Sequence, residues 1–368
     1  MERMDSASTA AAPSEFRQAT PGDLAPCLEV LLGGGTLDAD QTASAFETIM
    51  AGSAHAGEIG ALLALLATRV PSAEEILGAA RVMRKHVDRV ESTLDPACIV
   101  DTAGTGGAPK TFNVSTAAAI IAAAAFAPAP GSDRRTIAVA KHGNRSRTGR
   151  GSAEVLKALG VNVDADRPTQ TRCLDEAGIC FCFAIHHHPA AKHAMHVRRA
   201  LGFPTIFNLL GPLTNPAGAR RQLIGVYDRR FLRPIAEALA ALGALRAMVV
   251  HSDDGLDELS VTAPSTIMHV REGEVHEERI DPKELGLAAA GLDEVTALDL
   301  EEATAMLRGV FYGTVTGPPR DLALLNAAAT LVVGDRAGSL PQGLQLAAEA
   351  IDRGAAAETL ERLIDLSN

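Results

Sequence analysis

Residues 98–127 of the chain read CIVDTAGTGGAPKTFNVSTAAAIIAAAAFA. The short apolar run that opens this stretch predicts a buried strand, the glycines that follow predict a turn, and the alanine-rich end predicts a buried helix. Further strands are predicted along the chain, so that the full set is 98–101, 136–140, 179–184, 223–227 and 247–251. Because strand and helix patterns alternate, the sequence predicts an α/β fold with a mainly parallel central sheet.

The regions on either side of these strands have other patterns. Residues 23–90 carry four helix patterns, with a capped start at Asp38 and capping-box spacing between Ser72 and Glu75. Residues 266–280 predict a hairpin. The C-terminal third predicts long helices at 300–310, 321–333 and 344–366.

We therefore expect three parts in the chain. Residues 1–21 are rich in Ala, Ser, Thr and Pro, which is typical of a disordered tail. Residues 22–93 predict a small helical domain, which we expect a helix at 189–201 to join. Residues 94–368 predict the larger α/β domain.

Composition excludes several classes of function. The chain has 368 residues, with 34 Lys and Arg against 45 Asp and Glu, so its formal charge is −11. That balance argues against nucleic-acid binding, because phosphate contacts depend on Lys and Arg. The longest uncharged apolar run, 117–127, is far shorter than the roughly 20 residues of a membrane span. Five scattered cysteines are typical of reduced thiols, so we expect a cytoplasmic protein.

The turn after the first predicted strand has the features of an anion site. Its glycines let a ligand approach the backbone, and the N–H groups of the following helix can bind phosphate oxygens. Four nearby side chains add polar groups, namely Thr111, Asn113, Ser115 and Thr116. The alternative is an ordinary capped glycine turn, and we favour the phosphate site. The spacing matches neither a P-loop nor a dinucleotide fingerprint.

Two further polar loops follow predicted strands. Residues 141–152, KHGNRSRTGRGS, concentrate positive charge in an acidic chain, and Lys141 at the strand end can reach a phosphate. Residues 253–260, DDGLDELS, supply carboxylates of the kind that hold Mg²⁺ together with substrate phosphates. The alternatives are a solvated basic loop and an Asp/Gly turn. We expect Asp253 and Asp254 to be solvated.

Residues 186–202, HHHPAAKHAMHVRRALG, predict a helix that carries Lys192, Arg198 and Arg199 toward an anionic ligand. A zinc site that combines these histidines with Cys180 and Cys182 is the less favoured alternative, since the usual ligand spacing is incomplete.

The ordered set GTGG, TFNVST, KHGNRS, VRRALGFPTIFNLLGPLTNPAG and DGLDELS resembles the anthranilate phosphoribosyltransferase family. The resemblance extends from about Leu24 to the C-terminus. It implies a small helical domain and a larger α/β domain of the nucleoside phosphorylase/phosphoribosyltransferase type, a homodimer formed through the helical domains, and Mg²⁺ as cofactor. It also implies transfer of phosphoribose from phosphoribosyl pyrophosphate to the amine of anthranilate, in tryptophan biosynthesis, with no dedicated catalytic acid or base.

The resemblance also implies roles for individual residues. Those expected to contact phosphoribosyl pyrophosphate are Gly104, Gly107, Ala108, Thr111, Asn113, Val114, Ser115, Thr116, Lys141, His142, Gly143, Asn144, Arg145 and Ser152. Those expected to hold Mg²⁺ are Ser115, Asp257 and Glu258. Those expected to receive anthranilate are Gly104, Asn144 and Arg198.

The chain departs from the family pattern at three places. Ala108 stands where Asp is frequent, and the segment from it to Thr111 is one residue short. The loop at 146–150 is also one residue short, and Ala191 stands where Met or Tyr is common beside the acceptor. Two alternatives remain open at this point. One is a pyrimidine nucleoside phosphorylase-like enzyme, which has similar loops, and the other is a non-catalytic relative that binds nucleic acid.

Overall fold

The structure, a computed structural model, describes residues 23–127, 137–146 and 149–368. The predicted tail at 1–21 lies outside the described residues. None of the described helices is long and apolar enough to cross a membrane.

The N-terminal region consists of four helices, as predicted. They are α1 (Ala25–Leu32), α2 (Ala39–Met50), α3 (Ala56–Ala67) and α4 (Ala73–Lys85). Asp38 and Gln41 form a capping box at the start of α2, and Ser72 and Glu75 form another at the start of α4. The apolar faces of these helices meet around Phe46, which is completely buried.

Seven strands lie within the described part of the chain and form one sheet, in the order β3-β2-β1-β4-β5-β6-β7. They are β1 (Ile99–Gly104), β2 (Ala138–Gly143), β3 (Ile179–Phe183), β4 (Arg221–Gly225), β5 (Arg246–Ser252), β6 (Ser265–Arg271) and β7 (Glu274–Ile280). The pairs among β1 to β5 are parallel, and β6 and β7 add the predicted hairpin in antiparallel pairing. The expected α/β fold with a mainly parallel sheet is confirmed.

Helices cover both faces of the sheet. They are α5 (Val114–Ala125), α6 (Ser152–Leu159), α7 (Arg167–Arg172), α8 (Ala184–His187), α9 (Lys192–Leu201), α10 (Ile206–Leu210), α11 (Leu232–Ala241), α12 (Leu300–Phe311), α13 (Pro318–Val333), α14 (Leu340–Asp352) and α15 (Ala355–Ser367). One apolar core joins α5 and the C-terminal helices to one face. A second joins α11, α9 and the N-terminal helices to the other, and α11 lies between α4 and the strands β5 to β7.

The structure corrects one prediction and adds elements that were not predicted. Residues 344–366 do not form a single helix: α14 and α15 are separated at Gly354, which has φ 78°. A glycine in this left-handed conformation ends one helix and starts the next. The short helices α7, α8 and α10 were not predicted, because a single turn or two leaves little periodicity to detect.

Candidate active site

The carboxyl ends of β1, β4 and β5 bring three loops into close contact at one edge of the sheet. A methyl group on Gly104 would lie 2.5 Å from Asp257 Oδ2, and a methyl group on Gly225 would collide with the Asp257 carbonyl. Only glycine leaves room for this approach. The loops therefore meet where the strand order reverses, which is the position at which open α/β sheets bind ligands.

The glycine loop after β1 is held in a defined shape. Gly106 and Gly107 have φ 68° and 104°, values that favour glycine. The Thr105 N–H donates to Gly225 O at 2.9 Å, and the Tyr227 N–H donates to Thr105 Oγ1 at 3.2 Å. The Tyr227 ring covers Gly107, since a methyl group there would lie 3.2 Å from the ring. Sequence reasoning missed Tyr227, although its position at the end of a predicted strand was a usable signal.

The polar residues that follow this loop face the loops after β5 and β2. The Thr111 hydroxyl donates to both Glu258 oxygens, at 3.2 and 3.3 Å. Asn113 has φ 69° at the start of α5, and its amide donates to Arg150 O at 3.2 Å. Ala108 and Val114 are buried, so a ligand would meet their backbone groups. Thr116 is also buried, and its hydroxyl has no partner among the described residues.

Lys141 lies at the centre of this edge. Its ammonium group donates to Thr102 O at 2.9 Å and to Ser115 Oγ at 3.1 Å, and the side chain is almost fully buried. Burial lowers the pKa of Lys141 to about 8, against the opposing influence of Asp101 and Glu258. The group is therefore mainly cationic at pH 7, and its third N–H remains available to an anion.

The carboxylates of Asp257 and Glu258 form an acidic pair beside the glycine loop. Burial, together with the charge of Asp257, raises the pKa of Glu258 to about 8, while burial raises that of Asp257 against the influence of Lys110. A cation between the carboxylates would relieve the repulsion between the charges of Asp257 and Glu258. Within the described ranges no three His, Cys, Asp or Glu side chains converge to hold a metal. Such a cation would therefore need further oxygen ligands from a hydroxyl, a substrate or water.

The loop after β2 is shaped by close packing at its base. A methyl group on Gly143 would collide with Ser152 Oγ and approach the Phe181 ring. The Ser152 hydroxyl donates to Asn144 O at 3.4 Å, and the Arg145 guanidinium lies 5.4 Å from the centre of the Phe183 ring. The loop is thus held against the first residues of α6. Residues 147–148, within the segment predicted to be short, lie outside the described residues.

The imidazoles of His142, which is buried, and of His188, which is half-buried, lie on the opposite face of β2 from Lys141. His142 Nδ1 is 3.0 Å from Gly211 O, and because a carbonyl only accepts, Nδ1 carries the proton. Burial, with His188 nearby, lowers the pKa of His142 well below its ordinary value, so the ring is neutral. The rings of His142 and His188 are 5.2 Å apart, and neither Nε2 has a partner in the described part of the chain.

Arg198 lies half-buried on α9. Its guanidinium carbon is 4.8 Å from the centre of the Phe207 ring, and burial lowers the pKa of this side chain. No carboxylate among residues 23–127, 137–146 and 149–368 pairs with it. A planar cation in this position can accept a carboxylate ligand. Lys192 and Arg199, which the sequence grouped with Arg198, are exposed.

The expectation that Asp253 and Asp254 are solvated holds for Asp253, which is exposed, and is wrong for Asp254. Asp253 forms an ion pair with Arg279. Asp254 is partly buried and accepts hydrogen bonds from the hydroxyls of Ser260 and Thr262, as well as from the Leu256 N–H at 3.1 Å. Asp254 therefore shapes the loop that presents Asp257 and Glu258, because a carboxylate can collect several donors in one tight turn.

Comparison with known proteins agrees with this geometry. The model of the glycosyl transferase family a/b domain matches residues 97–357, and the model of its helical bundle domain matches residues 25–87. An anthranilate phosphoribosyltransferase of Rubrobacter xylanophilus is 44% identical over 94% of this chain and 97% of its own length. Another, of Thioalkalivibrio sulfidiphilus, is 46% identical over 87% of this chain and 91% of its own.

Solved structures give the same result. The anthranilate phosphoribosyltransferase of Thermus thermophilus superposes with a TM-score of 0.83 at 36% identity, covering 92% of this chain and 98% of that one. The Saccharomyces cerevisiae enzyme, solved in complex with PRPP and Mg, gives 0.81 at 26% identity over 94% of this chain and 97% of that one. Because both family models, these relatives and the shared fold agree, the chain belongs to the anthranilate phosphoribosyltransferase family.

Proposed function

We propose that this chain transfers the phosphoribosyl group of phosphoribosyl pyrophosphate to the amine of anthranilate and releases pyrophosphate, as a step of tryptophan biosynthesis. The observation that carries the proposal is the convergence of the glycine loop, Lys141 and the acidic pair at one sheet edge. A glycine loop beside Lys141 suits a diphosphate, the pair Asp257 and Glu258 suits Mg²⁺, and Arg198 is a half-buried cation that suits a carboxylate.

The donor binds across the loops after β1 and β2. Backbone N–H groups at the start of α5 and the ammonium of Lys141 receive phosphate oxygens. The residues assigned to the donor are Gly104, Gly107, Ala108, Thr111, Asn113, Val114, Ser115, Thr116, Lys141, His142, Gly143, Asn144, Arg145 and Ser152. Support comes from the Lys141–Ser115 contact of 3.1 Å, which joins the end of β2 to the start of α5.

Ser115, Asp257 and Glu258 hold Mg²⁺. The donor set fits this ion, because hard oxygens bind it and no Lys or Arg side chain of the described residues forms an ion pair with either carboxylate. When bound, Mg²⁺ supplies positive charge that stabilises the departing diphosphate. Thr111 supports the pair by donating to Glu258.

Anthranilate is received by Gly104, Asn144 and Arg198. Arg198 binds the carboxylate through charge-assisted hydrogen bonds, and its contact with the Phe207 ring holds the guanidinium plane. The aniline nitrogen is neutral at pH 7 and already nucleophilic, so no dedicated catalytic acid or base is assigned. The residues of the chain accelerate the reaction by positioning the two substrates and by stabilising negative charge on the leaving group.

The assembly extends this proposal. We assign residues 22–93, with the helix at 189–201, to a helical domain through which two copies form a homodimer, residues 94–368 to the α/β domain and residues 1–21 to a tail. In support, Leu32 on α1 is 73% exposed and Met195 on α9 is 37% exposed, which leaves apolar surface on this region. Light scattering at micromolar concentration should give twice the 38.2 kDa chain mass, and the chain mass alone would contradict the dimer. We place the enzyme in the cytoplasm, because every cysteine in the described ranges is free.

The activity is tested by following the loss of anthranilate fluorescence. The loss should require phosphoribosyl pyrophosphate and Mg²⁺ together, and omitting either should stop it. A parallel reaction with thymidine and inorganic phosphate tests the pyrimidine nucleoside phosphorylase alternative, and it should release no thymine. Release of thymine without consumption of anthranilate would overturn the proposal.

A further inference from the structure

The glycine loop after β1 contains two consecutive glycines that have no side chains of their own to hold them in place. Gly106 and Gly107 have φ 68° and 104°, and Gly107 is exposed. A glycine loses more conformational freedom on ordering than any other residue. The Gly107 N–H donates to no group in the described part of the chain, so it is available to a phosphate oxygen. The loop therefore binds an anion more tightly if another residue fixes Gly107 beforehand.

Tyr227 packs against Gly107 from outside the loop. A methyl group on Gly107 would lie 3.2 Å from Cγ, 3.4 Å from Cδ1 and 3.5 Å from Cβ of Tyr227, so the glycine backbone lies against the base of this side chain. The Tyr227 N–H also donates to Thr105 Oγ1 at 3.2 Å. The side chain and the backbone of Tyr227 thus contact the loop on both sides of Gly106.

Tyr227 is itself held by contacts that do not involve the glycine loop. Before it, the Val226 N–H donates to Val250 O at 2.9 Å, which ties the chain to β5. After it, a short turn brings the ring of the buried Phe231 to 5.2 Å from the Tyr227 ring. An aromatic pair at this separation is attractive beyond the area it buries. Tyr227 can therefore hold Gly107 in place before a ligand arrives.

We propose that Tyr227 is a positioning residue for phosphoribosyl pyrophosphate: its ring fixes Gly107 so that the free N–H of this glycine can receive a phosphate oxygen. The proposal rests on the proposed function, which assigns Gly107 to the donor. Tyr227 acts through the loop rather than on the substrate, and it lies outside the residues assigned to the two substrates and the metal.

The test measures donor affinity directly, by isothermal titration calorimetry of the enzyme with phosphoribosyl pyrophosphate and Mg²⁺ in the absence of anthranilate. Tyr227→Leu should weaken donor binding about tenfold, because the ligand must then order a glycine that the ring had held. Tyr227→Phe keeps the ring and should bind the donor with an affinity within about twofold of the unmodified enzyme.

Phe126→Leu is the matched control. The Phe126 ring is buried and also covers a glycine, since a methyl group on Gly334 would collide with it. Phe126 follows the last residue of α5, whereas the glycine loop precedes the first residue of that helix. Phe126→Leu should lower the melting temperature and leave donor affinity unchanged, which separates a loss of packing from a loss of positioning.

A second readout follows Tyr227 itself. The chain has two tyrosines and no tryptophan, so Tyr312→Phe leaves Tyr227 as the single tyrosine fluorophore. Tyr312 directly follows α12 and is 46% exposed, outside the residues assigned to the site. In this variant, tyrosine emission should change saturably as phosphoribosyl pyrophosphate and Mg²⁺ are added, because the ligand alters the surroundings of the loop that the ring contacts. The midpoint should equal the calorimetric Kd.

Several results would overturn the proposal. A folded Tyr227→Leu enzyme with unchanged donor affinity would do so, as would equal losses of affinity in Tyr227→Leu and Tyr227→Phe, or tyrosine emission that stays constant at donor saturation. If Tyr227→Leu does not fold, Thr105→Val carries the test, because it removes the acceptor of the Tyr227 N–H, and unchanged donor affinity would again contradict the proposal.

The proposed function fails separately from this role. An unmodified enzyme that does not consume anthranilate with phosphoribosyl pyrophosphate and Mg²⁺ would refute the proposed function itself. An active enzyme whose donor affinity does not depend on the ring at position 227 would refute only the role of Tyr227.

Discussion

Replacing Gly104 by alanine perturbs the acidic pair through a single methyl group. That methyl would lie 2.5 Å from Asp257 Oδ2, whereas ordinary contacts begin at 3.4 Å, so the carboxylate must move by about 0.9 Å. Gly104 has no positive φ, so the backbone tolerates alanine and the clash is isolated. A misplacement of about 1 Å at a reacting centre costs roughly 100-fold in rate, or about 2.7 kcal/mol.

The assay is the Mg²⁺ dependence of kcat/KM, measured beside thermal unfolding. We expect Gly104→Ala to lower kcat/KM by roughly 100-fold and to raise the Mg²⁺ concentration needed for half activation. The overpacking itself costs about 1–3 kcal/mol at most, so the protein remains folded. Gly57→Ala on α3 is the control, because a methyl group there meets nothing within 4 Å. Unchanged Mg²⁺ dependence in folded Gly104→Ala would refute the inference that Asp257 serves the metal at this position.

Three further predictions follow from the same geometry. Asp257→Asn should remain folded and lose most of the Mg²⁺-dependent activity, while the shape of the pH profile of that activity stays the same. Asp253→Asn is the control and should keep the activity, because it breaks only a surface ion pair. Arg198→Ala should raise the anthranilate KM far more than that of phosphoribosyl pyrophosphate, and equal effects in steady-state kinetics would contradict its role. Burial opposes ionisation of Glu75, but its hydrogen bonds from Arg69 and from two backbone N–H groups outweigh burial and lower its pKa. The ion pair of Glu75 with Arg69 therefore stabilises the fold above pH ~4.5, and this stabilisation is lost as the pH falls through the lowered pKa. Glu75→Gln should lower the free energy of unfolding by roughly 3 kcal/mol at pH 7 and should reduce the loss of stability at acid pH. If the variant loses as much stability at acid pH as the unmodified protein does, Glu75 is not the source of that loss.

Much of the site could be predicted because its residues follow strands. The ends of parallel strands meet at one edge, so the glycine loop, Lys141 and the pair Asp257 and Glu258 could be grouped from their positions alone. The structure brings them together through Gly104, which touches Asp257, and through Ser115, which touches Lys141. Arg198 was identified from charge and family resemblance, and its burial against Phe207 explains why it differs from Arg199.

The remaining features depend on contacts that the local sequence does not encode. Asp254 and Asp257 look equivalent in an acidic loop, yet only the first collects hydroxyls from Ser260 and Thr262, because the turn folds back on itself. Asp101 looks like one more residue of an apolar strand. Only the structure shows that the backbone ladder to β2 ends at Val100, one residue before Asp101, and that the Asp101 carboxylate then accepts the His142 N–H. Tertiary pairing of this kind has no periodicity along the chain.

The most direct test of the account is the stoichiometry of the reaction. The purified protein is incubated with anthranilate, phosphoribosyl pyrophosphate and Mg²⁺, and pyrophosphate is quantified by phosphorus NMR while the aromatic product is identified by mass spectrometry. We predict one pyrophosphate for each anthranilate consumed and a product whose anthranilate nitrogen carries the phosphoribosyl group. Pyrophosphate released at the same rate without anthranilate, or anthranilate left unmodified, would contradict the transfer that the three loops and Arg198 are proposed to perform.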